Sequence, residues 1–80
     1  MKVVVSIRRK EGLADPEGLT TARALTDLGY EDVSEVHFGR TIVLEIEIDN
    51  AVAAHAQVSE MCERLLSNPV IEDYTIEVGE

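Results

Sequence analysis

Val36, Phe38, Ile42, Leu44, Ile46 and Ile48 all stand at even positions, and this alternation, broken only at Arg40, constrains the fold more than any other feature of the chain. Successive side chains of a strand point to opposite faces, so a period of two demands extended backbone with one buried side. Two strands joined at Gly39-Arg40 satisfy it. A two-residue type II′ turn would pair Phe38 with Thr41 and send Ile42 to the opposite face, whereas three loop residues or a bulge keep Phe38 and Ile42 together. One long, bent strand running through residue 40 into a neighbouring subunit preserves the same parity.

The flanking segments complete the pattern. Val3, Val5 and Ile7 alternate with Val4, Ser6 and Arg8, which predicts a strand over about residues 2 to 8 with its odd face buried. Asp15 offers an N-cap carboxylate, Pro16 suits the first helical position because its missing N–H would have no partner there, and Glu17 complements the dipole. Leu19, Ala22, Leu25 and Leu28 form one stripe of this first helix. Gly29 ends it, and Tyr30 can fold back over its last turn. Asp49 or Asn50 can cap a second helix with Ala51, Ala54, Val58, Met61 and Leu65 as its buried stripe, stopped by Asn68 and Pro69. Val70, Tyr74, Ile76 and Val78 then share one face of a final strand in which Glu72 is the outlier.

The order is βαββαβ, which predicts an α+β fold in a single domain spanning residues 1–80. Its expected form is a four-stranded antiparallel sheet with two helices on one face, as in ferredoxin-like folds. The other sheet face would carry Val4, Val43, Ile71 and Thr75 mixed with Glu45, Glu47, Asp73 and Arg8, a composition suited to a partner-binding surface.

Size and charge narrow the function. An 80-residue chain buries only about 60–65% of its unfolded surface, so disulfides, a metal or oligomerisation normally supplement its core. A single cysteine excludes an intrachain disulfide and no tight ligand cluster suggests a metal, which leaves oligomerisation. Seven basic against sixteen acidic residues give a formal charge of −9, so nucleic acid and anionic membrane surfaces are not expected partners. No apolar run approaches the roughly 20 residues of a membrane span. Met1 leads straight into strand-like sequence without a basic leader, and a cytoplasmic location is expected.

The residues that could carry chemistry are sparse. Cys62 lies in a predicted helix between Glu60 and Glu63, whose charges oppose the thiolate that a nucleophile requires, so a packing role is expected. His37 and His55 lack further ligands at metal-binding spacing. The five glycines are scattered and form no phosphate loop. Arg8-Arg9-Lys10, the sole basic run, reads as a solvated loop that could also meet a phosphate or an acidic surface. Glu45 and Glu47 could pair as acid and base, yet nothing marks a cleft around them. No catalytic, cofactor-binding or metal-binding residue is expected in this chain.

Asp15-Pro16 with Gly18, Gly39 with Arg40, and the run from Met61-Cys62 to Ile71-Glu72-Asp73-Tyr74, in that order and spacing, resemble the PurS family, the small subunit of phosphoribosylformylglycinamidine synthase. The resemblance covers nearly the whole chain. It departs in Arg8-Arg9-Lys10, more basic than usual, and in the alanine-rich stretch from Asp49 to Gln57. The resemblance implies a non-catalytic subunit of an ATP-dependent amidoligase in purine biosynthesis, which converts formylglycinamide ribonucleotide to formylglycinamidine ribonucleotide with glutamine and ATP. It implies that the chain bridges a glutaminase subunit and a large synthetase subunit, helps ammonia pass between them, and self-associates as a homodimer or dimer of dimers. ATP and Mg would be used by the synthetase partner. Asp15, Pro16, Gly39, Arg40, Asp73 and Tyr74 are the candidate partner contacts, with Arg40 expected to project from its turn towards a carboxylate or phosphate. The competing class is an ACT-like amino-acid-binding regulatory module, which shares the βαββαβ order but would need a glycine-rich turn after the first strand. An acylphosphatase-like enzyme would need a phosphate cradle there.

Overall fold

The computed structural model describes residues 1–79. The elements are strand β1 (Lys2–Arg9), helix α1 (Pro16–Asp27), strand β2 (Gly39–Glu45), helix α2 (Ala51–Met61), a π-helical turn (Cys62–Leu66) and strand β3 (Glu72–Val78). The sheet is antiparallel, three-stranded and ordered β2-β1-β3. Four strands were expected, and the difference lies in residues 31–38, which form no strand, while Gly39-Arg40 begins β2 instead of turning the chain. The physical reason is local to Gly39-Arg40: both residues are extended and paired with β1, opposite Arg8 and Ile7, so no turn forms there to fold Val36 and Phe38 back onto the outer edge of β2.

Register confirms the alternation. Val3 is opposite Leu44 and Val78, Val5 opposite Ile42 and Ile76, and Ile7 opposite Arg40 and Tyr74, so odd residues of β1 share a face with even residues of its neighbours. Val3, Val5, Ile7, Ala54, Val58 and Cys62 form the buried core between this face and α2. The opposite face carries Val4 beside Val43, with Arg8 beside Asp73 and Ser6 beside Thr75, and no helix covers it.

Asn50 is the cap of α2, its side chain accepting from the Ala53 N–H at 3.0 Å. The stripe predicted for this helix holds at Ala54 and Val58 but fails at Leu65, which is 82% exposed. The π-turn inserts one residue into the helical count, rotating Leu65 outward and bringing Leu66 towards the sheet, while Cys62 continues the buried series of Ala54 and Val58 at i+4 spacing. Ser67 closes the turn, its N–H and its hydroxyl both donating to the Cys62 carbonyl at 3.0 and 2.9 Å.

Helix α1 corrects the expectation of two helices on one sheet face. It is capped as its sequence predicts, with Asp15 accepting from Gly18 N–H. It ends at Gly29 (φ 103°), where the Gly29 and Tyr30 N–H groups return to the carbonyls of Thr26 and Leu25. Yet among the described residues it packs extensively on no strand, and Leu19 and Leu28 remain 57% and 74% exposed. The chain measures 48 × 26 × 14 Å, with a radius of gyration of 16.1 Å against about 12 Å for a compact domain of this length. An apolar stripe left outside the core is the direct cause: α1 is an arm.

Candidate functional site

The six residues singled out as partner contacts come from distant parts of the sequence, and the fold gathers them at one end of the sheet. Arg8 is opposite both Gly39 and Asp73, Ile7 opposite both Arg40 and Tyr74, and Asp15-Pro16 begins α1 just beyond the exit of β1. Arg8 and Arg9 lie within β1, not in a loop after it.

Asp15 ties the arm to this end. One carboxylate oxygen accepts from Gly18 N–H at 3.0 Å and the other from Phe38 N–H at 2.9 Å. Those two backbone donors, Phe38 first, hold its pKa below the ordinary aspartate value, opposed by desolvation and aided by the charges of His37 and Arg9. Gly18 is buried against the Val36 carbonyl oxygen, so closely that a Cβ there would collide with it. The first turn of α1 thus packs directly on residues 34–38, with a hollow of about 450 Å³ between them lined by Leu13, Pro16, Leu19, Ala22 and Val36.

Arg40 does not project from a turn. Its Nη1 donates to Glu72 Oε2 at 2.6 Å, and its Nη2 donates to Glu72 Oε1 at 3.1 Å and to the Leu66 carbonyl at 2.8 Å. Glu72 also accepts from Asn68 N–H at 2.7 Å. The Arg40 side chain is half exposed and that of Glu72 only 13% exposed. Mutual hydrogen bonding lowers the Glu72 pKa, with the Asn68 N–H as a second cause, and raises that of Arg40. Glu72 is the residue that sequence reasoning left without a role, although a signal existed. Arg40 and Glu72 are the polar exceptions in two otherwise apolar even-numbered stripes, and each proves to be the other's partner.

Tyr74 donates its hydroxyl proton to Glu63 Oε2 at 2.8 Å and lies 3.3 Å from Ser59 Oγ. The Ser59 bond draws the phenol pKa down, but Glu63 and burial outweigh it, and the net shift is upward. Cys62 is fully buried, and desolvation followed by the Glu63 charge pushes its thiol pKa up, away from nucleophilic reactivity. Among the described residues no group of three or more His, Cys, Asp or Glu is placed to hold a metal, and no helix is long and apolar enough to cross a membrane. His37 lies 3.9 Å from Asp15 and 3.8 Å from Glu35, and His55 is on α2. At this end of the sheet Asp15, Glu72 and Arg40 are all engaged in hydrogen bonds within the chain.

Comparison with known proteins agrees with the architecture. The family model for PurS, phosphoribosylformylglycinamidine (FGAM) synthase, matches residues 2–80. The PurS subunit of phosphoribosylformylglycinamidine synthase from Methanocaldococcus jannaschii is 44% identical over 96% of this chain and 93% of its own length. That from Bacillus subtilis is 42% identical over 99% and 93%. The crystal structure of the M. jannaschii PurS superposes with a TM-score of 0.91, covering 99% of this chain and 95% of that one at 43% identity. A chain of the PurLQS structure from Thermotoga maritima superposes at 0.87 with 33% identity, covering 95% and 93%. Matches of that extent take in the projecting helix as well as the sheet.

Proposed function

The chain belongs to the PurS family of phosphoribosylformylglycinamidine synthase subunits, and from that premise we propose that it acts as the small bridging subunit of this ligase complex in purine biosynthesis. As a PurS subunit it is not itself catalytic, and it works in association with the other subunits of the synthase. In this reading it joins a glutaminase subunit to a large synthetase subunit, which uses ATP and Mg, and helps ammonia released from glutamine reach the ATP-dependent step without loss to water. A cytoplasmic location goes with that role.

The observation that carries the bridging role is the incompleteness of the isolated fold. Helix α1 stands away from the core with Leu19 and Leu28 exposed, residues 33–38 run unpaired beside it, and the sheet face around Val4 and Val43 has no cover. Apolar surface of this kind is normally covered on association. Self-association as a homodimer or dimer of dimers, with a second copy completing a fourth strand, fits the unpaired segment, and larger subunits fit the remaining surface. Asp15, Pro16, Gly39, Asp73 and Tyr74, which converge on one sheet end, are candidate contacts there, and Arg40 contributes by shaping that end.

Reconstitution tests the reading. With glutaminase and synthetase subunits present, glutamine-dependent formation of formylglycinamidine ribonucleotide is expected to require this chain, while turnover supported by added ammonium salt persists without it. Equal glutamine-dependent rates with and without the chain, or glutamine or ATP hydrolysis by the purified chain alone, would refute it.

A further inference from the structure

We propose that the hollow at the exit of β1 binds a phosphate group, carried free or on a small phosphate ester. The hollow has a volume of about 250 Å³ and lies between the β1–α1 turn and residues 35–38. That is below the range of about 300–1,000 Å³ usual for drug-sized ligands and suits a phosphate with a small organic remainder.

The charge is the first argument. In a chain of formal charge −9 with only seven basic residues, three of them, Arg8, Arg9 and Lys10, line this one hollow. Arg40 and Arg64 are paired with Glu72 and Glu60, whereas among the described residues Arg8, Arg9 and Lys10 have no carboxylate partner in salt-bridge contact. Lys10 is also half-buried. Three acids share the lining: Asp15, whose carboxylate accepts from the N–H groups of Gly18 and Phe38, Glu35, which lies 3.8 Å from His37 Nε2, and Glu11. Here the chain's scarce cations balance the neighbouring acids instead of being outnumbered by them.

The backbone is the second argument. The turn from Lys10 to Leu13 is closed by Leu13 N–H donating to the Lys10 carbonyl at 3.3 Å, with Gly12 in the left-handed region at φ 84°. Among the described residues the N–H groups of Glu11 and Gly12 donate to no protein acceptor, and both residues border the hollow. Backbone donors beside guanidinium and ammonium groups are the combination that holds a phosphate, because charge-assisted bonds and fixed dipoles converge on its oxygens. The inference is independent of the bridging role.

The test uses the full chain without partners, so its failure would leave the family assignment untouched. Inorganic phosphate and ribose 5-phosphate are titrated separately at constant ionic strength, and backbone amide resonances are followed. Saturable shifts are expected at Lys10, Glu11 and Gly12. Arg9→Gln and Lys10→Gln should each weaken binding about tenfold, as the loss of one charge-assisted hydrogen bond implies. Arg23→Gln, the same charge change on exposed α1, should leave affinity unchanged, and the amide spectrum of each variant verifies its fold. Tighter binding of ribose 5-phosphate identifies an ester site, and equal binding identifies a site for the phosphate group alone. Absent or non-saturable shifts, or an Arg23→Gln loss as large as that of Lys10→Gln, would overturn the proposal.

Discussion

Replacing Arg40 by alanine removes the fork that fastens the start of β2 to β3 and to the end of the π-turn, and its cost follows from three hydrogen bonds. Two guanidinium bonds reach Glu72, at 2.6 and 3.1 Å, and a third reaches the Leu66 carbonyl at 2.8 Å. Because Arg40 is half exposed, water screens the ion pair, and such pairs are worth about 0.2–1 kcal/mol. The fork geometry and the low exposure of Glu72 put this pair at the upper end. The Leu66 bond adds about 0.5–1.5 kcal/mol, giving a total of about 1.5–2.5 kcal/mol. For a chain of this length that lowers Tm by about 6–20 °C. Urea unfolding at fixed protomer concentration measures it, since association would otherwise shift the midpoint. The pH dependence sharpens the test. The folded Glu72 pKa is depressed, so the stability it contributes is present above the unfolded glutamate pKa and is lost as pH falls through the folded value. The gap between parent and Arg40→Ala should therefore be full at pH 7 and narrow at pH 3. A double-mutant cycle with Glu72→Gln should return a coupling of about 1 kcal/mol. A cost below about 0.3 kcal/mol, or a gap equal at both pH values, would refute the clamp.

Three further outcomes are expected. Gly18→Ala should destabilise by about 1–3 kcal/mol despite the better helix propensity of alanine, because its methyl would displace the Val36 carbonyl; unchanged urea midpoints would contradict the close approach. The Cys62 thiol should resist aromatic disulfide reagents in the folded chain and react fully in denaturant, since burial both blocks it and raises its pKa; rapid native labelling would show that the core opens. Val43→Glu, on the uncovered sheet face, should leave the chain folded yet weaken its assembly with itself or with the synthase subunits, and analytical ultracentrifugation with unchanged sedimentation would remove that face from any interface.

Most local structure was legible because it is encoded locally. Asp15-Pro16 and Gly29 mark the ends of α1 through hydrogen bonds within a few residues, and the Asn50 cap and the odd–even pairing of β1 with its neighbours follow from residue type and parity. The candidate site was only partly legible. The six proposed contact residues do converge, yet Glu72, which organises their end of the sheet, entered the sequence reading as a flaw in a stripe. Leu65 was assigned inward because period 3.6 has no means of foreseeing a π-turn. The fourth strand was expected because alternation at Val36 and Phe38 identifies extended backbone without identifying a partner for it.

By itself, the sequence determined where most of the chain is helical or extended, which face of each strand is apolar, and that its core is small. Those properties depend on neighbours in the chain and on totals of residue type. Tertiary structure alone decided that β1 lies at the centre of three strands, that Arg40 pairs with Glu72, that α1 leaves the sheet, and that Arg8, Arg9 and Lys10 border one surface hollow. Each depends on which distant segments meet, and meeting is settled by competition for the two edges of β1 and for its single covered face, a contest that no local pattern records.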